Sequence, residues 1–248
     1  MVKLLRGITQ YLPNQNRAGK FVLYAIGEIT LVVIGILIAL YINNWNEERK
    51  NRSFELTMLR EVKDAIEADV KILEDVLPYL KSTVYSIYQL AVIKSDPSQP
   101  TDSLYFHLQK TLNFGTILAI NKSPFEAIES SGLDKISNPS IRTNLSTLYG
   151  YELPDSELWI NEVLRIELFK KKELFSQIFG LKVLPADGNS IEMKVILDNP
   201  AIIYNNPEFD VLLHTAAWTL PRTQSKVENL ISQMKALSTQ IDTELKNE

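Results

Sequence analysis

The sequence predicts a mainly α-helical protein in which one transmembrane helix continues into an extracytoplasmic helical bundle, with one small β-hairpin near 181–197. Three observations carry that prediction. Residues 21–42 read FVLYAIGEITLVVIGILIALYI, with Glu28 as the only charged side chain. At about 1.5 Å of rise per residue such a helix is roughly 33 Å long, enough to cross a hydrocarbon core of about 30 Å. Beyond it, long segments repeat apolar residues in steps of three and four. Short Pro- and Gly-bearing corners separate them. The chain divides accordingly into a cytoplasmic basic amphipathic segment (1–20), the transmembrane helix (21–43) and the extracytoplasmic helical domain (44–248).

Composition limits the function classes. The chain has 248 residues, a formal charge of −4 and no cysteine. Disulfides, thiol catalysis and Cys-ligated zinc are therefore excluded. Four of its 26 basic residues, Lys3, Arg6, Arg17 and Lys20, precede the apolar run with no acid among them, so the remainder is acidic and unsuited to nucleic acid. The positive-inside rule puts the basic end in the cytoplasm and the bulk in the periplasm, as a single-pass protein of a bacterial inner membrane; Arg49, Lys50 and Arg52 oppose that bias. A cleavable signal peptide is the competing reading. The run is longer than an h-region and ends in Leu40-Tyr41-Ile42-Asn43-Asn44-Trp45 without a small-x-small cleavage pattern.

In the first segment Leu4, Leu5, Ile8 and Leu12 recur at helical spacing before Pro13. They suit a short helix on the membrane surface or, equally, a frayed basic tail. Within the span, Gly27, Gly35 and Ala39 fall at multiples of four on one side, the spacing that lets two helices approach closely in lipid, and they are the candidate association residues of an oligomer. Glu28 borders this stripe as an acid buried in the bilayer. It either reaches headgroup water, pairs with a cation such as Lys20, or serves an ion pathway. Trp45 is the expected interface anchor.

After the span, Leu59, Val62, Ile66, Val70, Leu73, Leu77, Leu80, Val84, Ile87 and Ala91 form an amphipathic stripe. It reads either as a heptad seam to another subunit or as the core face of a bundle helix, and Pro78, expected to kink or end the helix, favours the bundle. Residues 95–102 form a loop, and a helix from Leu104 toward Ile120 carries His107. Ser123-Pro124 reads as a cap and first turn for a short helix closed by Gly132, and Asn138-Pro139 repeats the arrangement for 140–149. The corner Ser130-Ser131-Gly132 is a structural turn rather than an anion site. A further helix spans 155–179, with Lys170-Lys171-Lys172 as a solvated cationic face. Runs of β-branched residues flank Asp187-Gly188, which suggests the hairpin. Asn206-Pro207 caps a long C-terminal helix, expected to pair antiparallel with the helix after the span.

The segment YAIGEITLVVIGILIALYINNWNE at 24–47 resembles the opening of an uncharacterised family of single-span proteins found mostly in Bacteroidota. The run FEAIESSGLDKISNPSIRTNLSTLYGY at 125–151 is similar to that family's second signature, whose markers here are Ser130, Ser131, Gly132, Ser137 and Asn138. Tyr41 departs from the glutamine of many members. The resemblance implies an inner-membrane protein with an extracytoplasmic domain and no particular reaction.

No HExxH, GxSxG, P-loop or dinucleotide-binding pattern occurs, and the two histidines, His107 and His214, both read as packed or capping imidazoles. No catalytic, cofactor-binding or metal-ligating residue is assigned. The expectation is a non-enzymatic, membrane-anchored subunit that assembles with itself or an envelope partner, its other contact being the bilayer. The alternatives are a ligand-sensing bundle signalling through a separate partner, and an ion-pathway subunit using Glu28.

Overall fold

The computed structural model describes residues 17–112, 116–186 and 190–246. The basic segment before Arg17, the Lys20 side chain, Phe114 and the Asp187-Gly188 turn lie outside the described residues. The chain forms two compact units, Met1–Phe54 and Glu55–Glu248.

The first helix, α1 (Arg17–Ser95), supplies the described part of the first unit and the first helix of the second. In the first unit no residue of its apolar stretch is buried among the described residues, and the stretch is long and apolar enough to cross a membrane. Thr30 donates to the Ile26 carbonyl at 2.8 Å, so its hydroxyl adds no unsatisfied polar group to that surface.

The second unit contains α2 (Thr101–Leu112), α3 (Ser123–Ser131), α4 (Pro139–Thr147), α5 (Leu153–Leu158), α6 (Arg165–Ile178), a hairpin of β1 (Gly180–Ala186) and β2 (Ser190–Ile196), and α7 (Pro207–Lys246). The expected stripe on α1 is the core: Leu59, Val62, Ile66 and Leu80 are fully buried. It drifts at its end, where Leu90 and Ile93 are buried and Ala91 is exposed, because a 3.6-residue turn does not hold a constant step over ten turns. Pro78 lies on the exposed side and does not end the helix, which runs through it to Ser95.

Helices α1 and α7 pair antiparallel, as four ties in order demonstrate. Lys63 meets Asp242, Glu74 meets Lys235, Lys81 meets Glu228 and Lys94 meets Asp210, so partner numbers fall along α7 as they rise along α1. Asp242 accepts from both Lys246 and Lys63, whose hydrogen bonds hold its carboxyl down to about 2. Pairing within the chain takes up the stripe that a heptad seam would have offered to another subunit.

Three departures from the sequence expectation concern helix ends. The helix expected from Leu104 toward Ile120 is α2, which starts at Thr101 and ends at Leu112, and residues 116–122 carry no helix. Ser123 does not cap α3; the residue before it, Lys122, holds that place without a side-chain bond, and Asn121 Oδ1 accepts from the Ser123 N–H at 3.2 Å. Nor does the chain break between 149 and 155. Helices α4, α5 and α6 follow one another through two wide π turns, Leu148–Glu152 and Trp159–Leu164. The first puts the Leu153 N–H on the Leu148 carbonyl, five residues back, just before Pro154. Widening there accommodates a ring that lacks a donor and would clash with a carbonyl in a regular α-turn.

The hairpin forms as expected, with Val183 opposite Met193. Gln109 of α2 fastens it: its Nε2 donates to the Met193 carbonyl at 2.7 Å and its Oε1 accepts from the Val195 N–H at 3.1 Å, so one side chain stands in for a neighbouring strand.

Candidate functional site

Three clusters of polar residues in the bundle interior join α1 to later parts of the chain. The first contains part of the Ser137-Asn138 signature. Glu55, 1% exposed, accepts from the Ser137 N–H at 2.6 Å and the Ser137 hydroxyl at 2.8 Å. Asn138 caps α4, its Oδ1 accepting from the Ser140 and Ile141 N–H groups, while its Nδ2 donates to Glu244 of α7 at 2.9 Å. Two adjacent residues thus tie three helices, and the sequence reading of Asn138 as a cap accounts for the bonds to its Oδ1 and not for the one from its Nδ2.

The second cluster is Asp69 with Tyr149. The Asp69 carboxylate, buried on α1, accepts from the Asn121 N–H at 3.1 Å, and burial pushes its pKa up. Tyr149, placed by the first π turn, stacks on Phe125 with centroids 4.5 Å apart. Its hydroxyl is buried with no hydrogen-bond partner among the described residues, and burial, then the nearby Asp69 charge, push its pKa up.

The third is a chain of contacts. His107 Nδ1 lies 3.2 Å from Ser86 Oγ, the Thr111 hydroxyl donates to the His107 carbonyl at 2.9 Å, and Lys171 Nζ donates to the Thr111 carbonyl at 2.7 Å. Lys171 is 6% exposed with no acid paired to it among the described residues, and burial lowers its pKa to about 8. Its bond to a carbonyl in the last turn of α2 puts the ammonium at the negative end of that helix. The reading of Lys170-Lys171-Lys172 as a solvated face is therefore corrected: Lys170 and Lys172 are exposed, and Lys171 points into the core. Histidine also divides. His107 is packed as expected, with its pKa lowered by burial, whereas His214 sits on the exposed side of α7.

The other residues singled out in the sequence are not gathered in one place. Gly27 and Gly35 lie on the apolar stretch of α1 with nothing within 4 Å of where a Cβ would be, and Glu28, Ala39 and Trp45 are exposed on it. The burial expected for Glu28 is burial in lipid; among the described residues nothing buries it. Ser130 donates to the Ala127 carbonyl and the Gly132 N–H to the Glu129 carbonyl, so the corner is bonded internally beside the half-buried Ser131. Gly132 has φ +102°, and a Cβ there would stand 2.4 Å from Asp134 Oδ1.

Sequence reasoning missed Glu55, Asp69 and Lys171, and the signal for them was present. Each falls on an apolar stripe: Glu55 four before Leu59, Asp69 four before Leu73, Lys171 between Leu168 and Phe175. A charge in register with core positions marks a buried, bonded group. Among the described residues, no three His, Asp or Glu side chains group as a metal site would require.

The fold and these clusters define a helical bundle whose first helix begins as an apolar stretch of membrane-crossing length. The chain belongs to the family of unknown function DUF6090, whose model matches residues 28–177, from within the apolar stretch to the end of α6. No curated protein and no solved structure matches it.

Proposed function

We propose that this chain is a non-enzymatic, single-pass subunit of a bacterial inner membrane, its basic end cytoplasmic and its bundle periplasmic, that assembles with itself or with an envelope partner. The observation that carries the reading is the apolar stretch of α1. It bears the acid Glu28 and the small residues Gly27, Gly35 and Ala39, none of them buried among the described residues. A carboxylate in hydrocarbon needs a partner or water, and small residues are where a second helix approaches. The interior of the bundle supports a non-catalytic role, because Glu55, Asp69 and Lys171 each hydrogen-bond another segment of the chain. The signatures at 24–47 and 125–151 favour an origin in Bacteroidota.

Two measurements test it. Purification from native membranes in mild detergent should return an oligomer or a stoichiometric partner, reduced by Gly35→Leu; a strict monomer unaffected by that change refutes the reading. Because the chain has no cysteine, Ser98→Cys in the loop after α1 offers a single thiol. Labelling of intact spheroplasts by an impermeant maleimide is expected, and labelling only after lysis reverses the topology.

A further inference from the structure

The hairpin presents two unlike faces and one unpaired edge. Cross-strand partners Leu181 with Val195, Val183 with Met193 and Pro185 with Ile191 put only apolar side chains on one face. That face enters the core at its base through Val195, whereas Val183, Ile191 and Met193 are 59, 76 and 43% exposed. The other face carries the exposed Lys182 directly across from Lys194. Lys194 pairs with Glu192 at 3.5 Å, and Lys182 makes no ion pair among the described residues. Like charges directly opposite each other repel, so an acid placed beside Lys182 would be stabilising.

The ladder determines which backbone groups lie on the edge. In an antiparallel pair the N–H and C=O of one residue point to the same side, and successive residues alternate. Gln109 of α2 bonds the Met193 carbonyl and the Val195 N–H, so residues 193 and 195 face away from β1. Their partners Val183 and Leu181 therefore face away from β2. The sheet has two strands, and on this side the N–H and C=O groups of Leu181 and Val183 have no partner among the described residues. Pro185, next along the edge, offers a carbonyl and no N–H. An extended chain laid antiparallel here would pair with Leu181 and Val183. Its residue opposite Lys182 would share the lysine's face, and the neighbours of that residue would share the apolar face. A second copy fits poorly. Pairing β1 with β1 through Leu181 and Val183 sets Lys182 against Lys182, and centring the pair on Val183 sets Leu181 against Pro185, where an N–H is missing.

We propose that the free edge of β1 binds an extended segment of a partner protein in which an acidic residue, opposite Lys182, stands between two apolar ones. The inference rests on the partner-binding reading and names the segment's chemistry and where it docks. Its test uses the full chain in nanodiscs and fluorescence anisotropy of a labelled peptide, Thr-Val-Glu-Val-Thr, beside the same peptide with lysine for glutamate. The glutamate peptide should bind with a Kd below about 1 mM and the lysine peptide at least tenfold more weakly, and Lys182→Glu should invert that preference. N-methylation of either valine, whose N–H faces β1, should weaken binding at least tenfold, whereas N-methylation of the glutamate, whose N–H faces away, should leave it unchanged. No binding of the glutamate peptide, equal binding of the two peptides, or a preference that Lys182→Glu does not invert overturns the proposal. So does a disulfide between copies carrying Val183→Cys that forms faster than one between copies carrying Ser98→Cys, because a second copy would then occupy the edge. Loss of the native partner in the Gly35→Leu experiment with peptide binding intact leaves this proposal standing. A native partner retained while the peptides fail overturns this proposal alone.

Discussion

Glu55 and Lys171 are both buried charges on apolar stripes, and they behave oppositely because only one has matched partners. Glu55 receives two hydrogen bonds from Ser137, so replacing it orphans an N–H and a hydroxyl. Glu55→Leu should cost about 3 kcal/mol and Glu55→Gln, which keeps an acceptor, about 1 kcal/mol, read by urea denaturation of the detergent-solubilised protein. Lys171 has one carbonyl and, among the described residues, no counter-charge. Its pKa is about 8 in the fold against 10.5 when exposed, so the unfolded chain binds more protons between those values and stability rises with pH across that window. The gain approaches about 3 kcal/mol by pH 10.5, at 1.36 kcal/mol per unit. Lys171→Met should lack this rise. At pH 7 it should be more stable than the parent by about 1 kcal/mol, the removed charge outweighing the orphaned Thr111 carbonyl. Melting curves of both proteins from pH 7 to 10.5 check the sign. Asp69 has the same logic reversed: its carboxyl is pushed up, so its contribution is lost as pH rises through the folded value. Asp69→Asn should raise the melting temperature at pH 7 and leave it unchanged well below the carboxylate range.

Among the elements, the α3 corner and the first π turn use glycine for different reasons. Gly132 has a positive φ that an L side chain rarely adopts, and a Cβ would press on Asp134, so Gly132→Ala should destabilise by about 1–2 kcal/mol. Gly150 lies in the π turn with open space around it, and Gly150→Ala should stabilise by about 0.5–1 kcal/mol through the unfolded chain. Denaturation midpoints of the two variants should move in opposite directions. The Gly132 closure was legible because a helix ending in Ser-Ser-Gly has few other solutions. The π turns were not, since Pro154 reads in sequence as a helix boundary, whereas in the fold the widened turn accommodates its ring and the chain continues with Tyr149 and Ile160 buried on either side.

For the molecule as a whole, the hydrophobic core formed by the described residues lies within Glu55–Glu248. A chain beginning at residue 50 should therefore remain helical, water-soluble and cooperative in thermal unfolding, as judged by circular dichroism and sedimentation. Loss of cooperativity would mean that the apolar stretch contributes to the core. The antiparallel partnership of α1 and α7 was readable from two amphipathic stripes of similar length, and the hairpin from its change to β-branched residues. Its attachment was not readable, because Gln109 sits on a helix more than eighty residues from the strand it fastens.

By itself the sequence determined what depends on local pattern: an apolar stretch of membrane length, the helices and their core faces, the Asn138 and Asn206 caps and the hairpin. Each follows from periodicity or from a side chain bonding its own backbone, and both act over a few residues. Only the tertiary structure decided what Glu55, Asp69 and Lys171 do. A polar side chain on an apolar stripe is a defect or a tie according to what the opposite helix presents, and those partners come from residues 52 to 82 positions away.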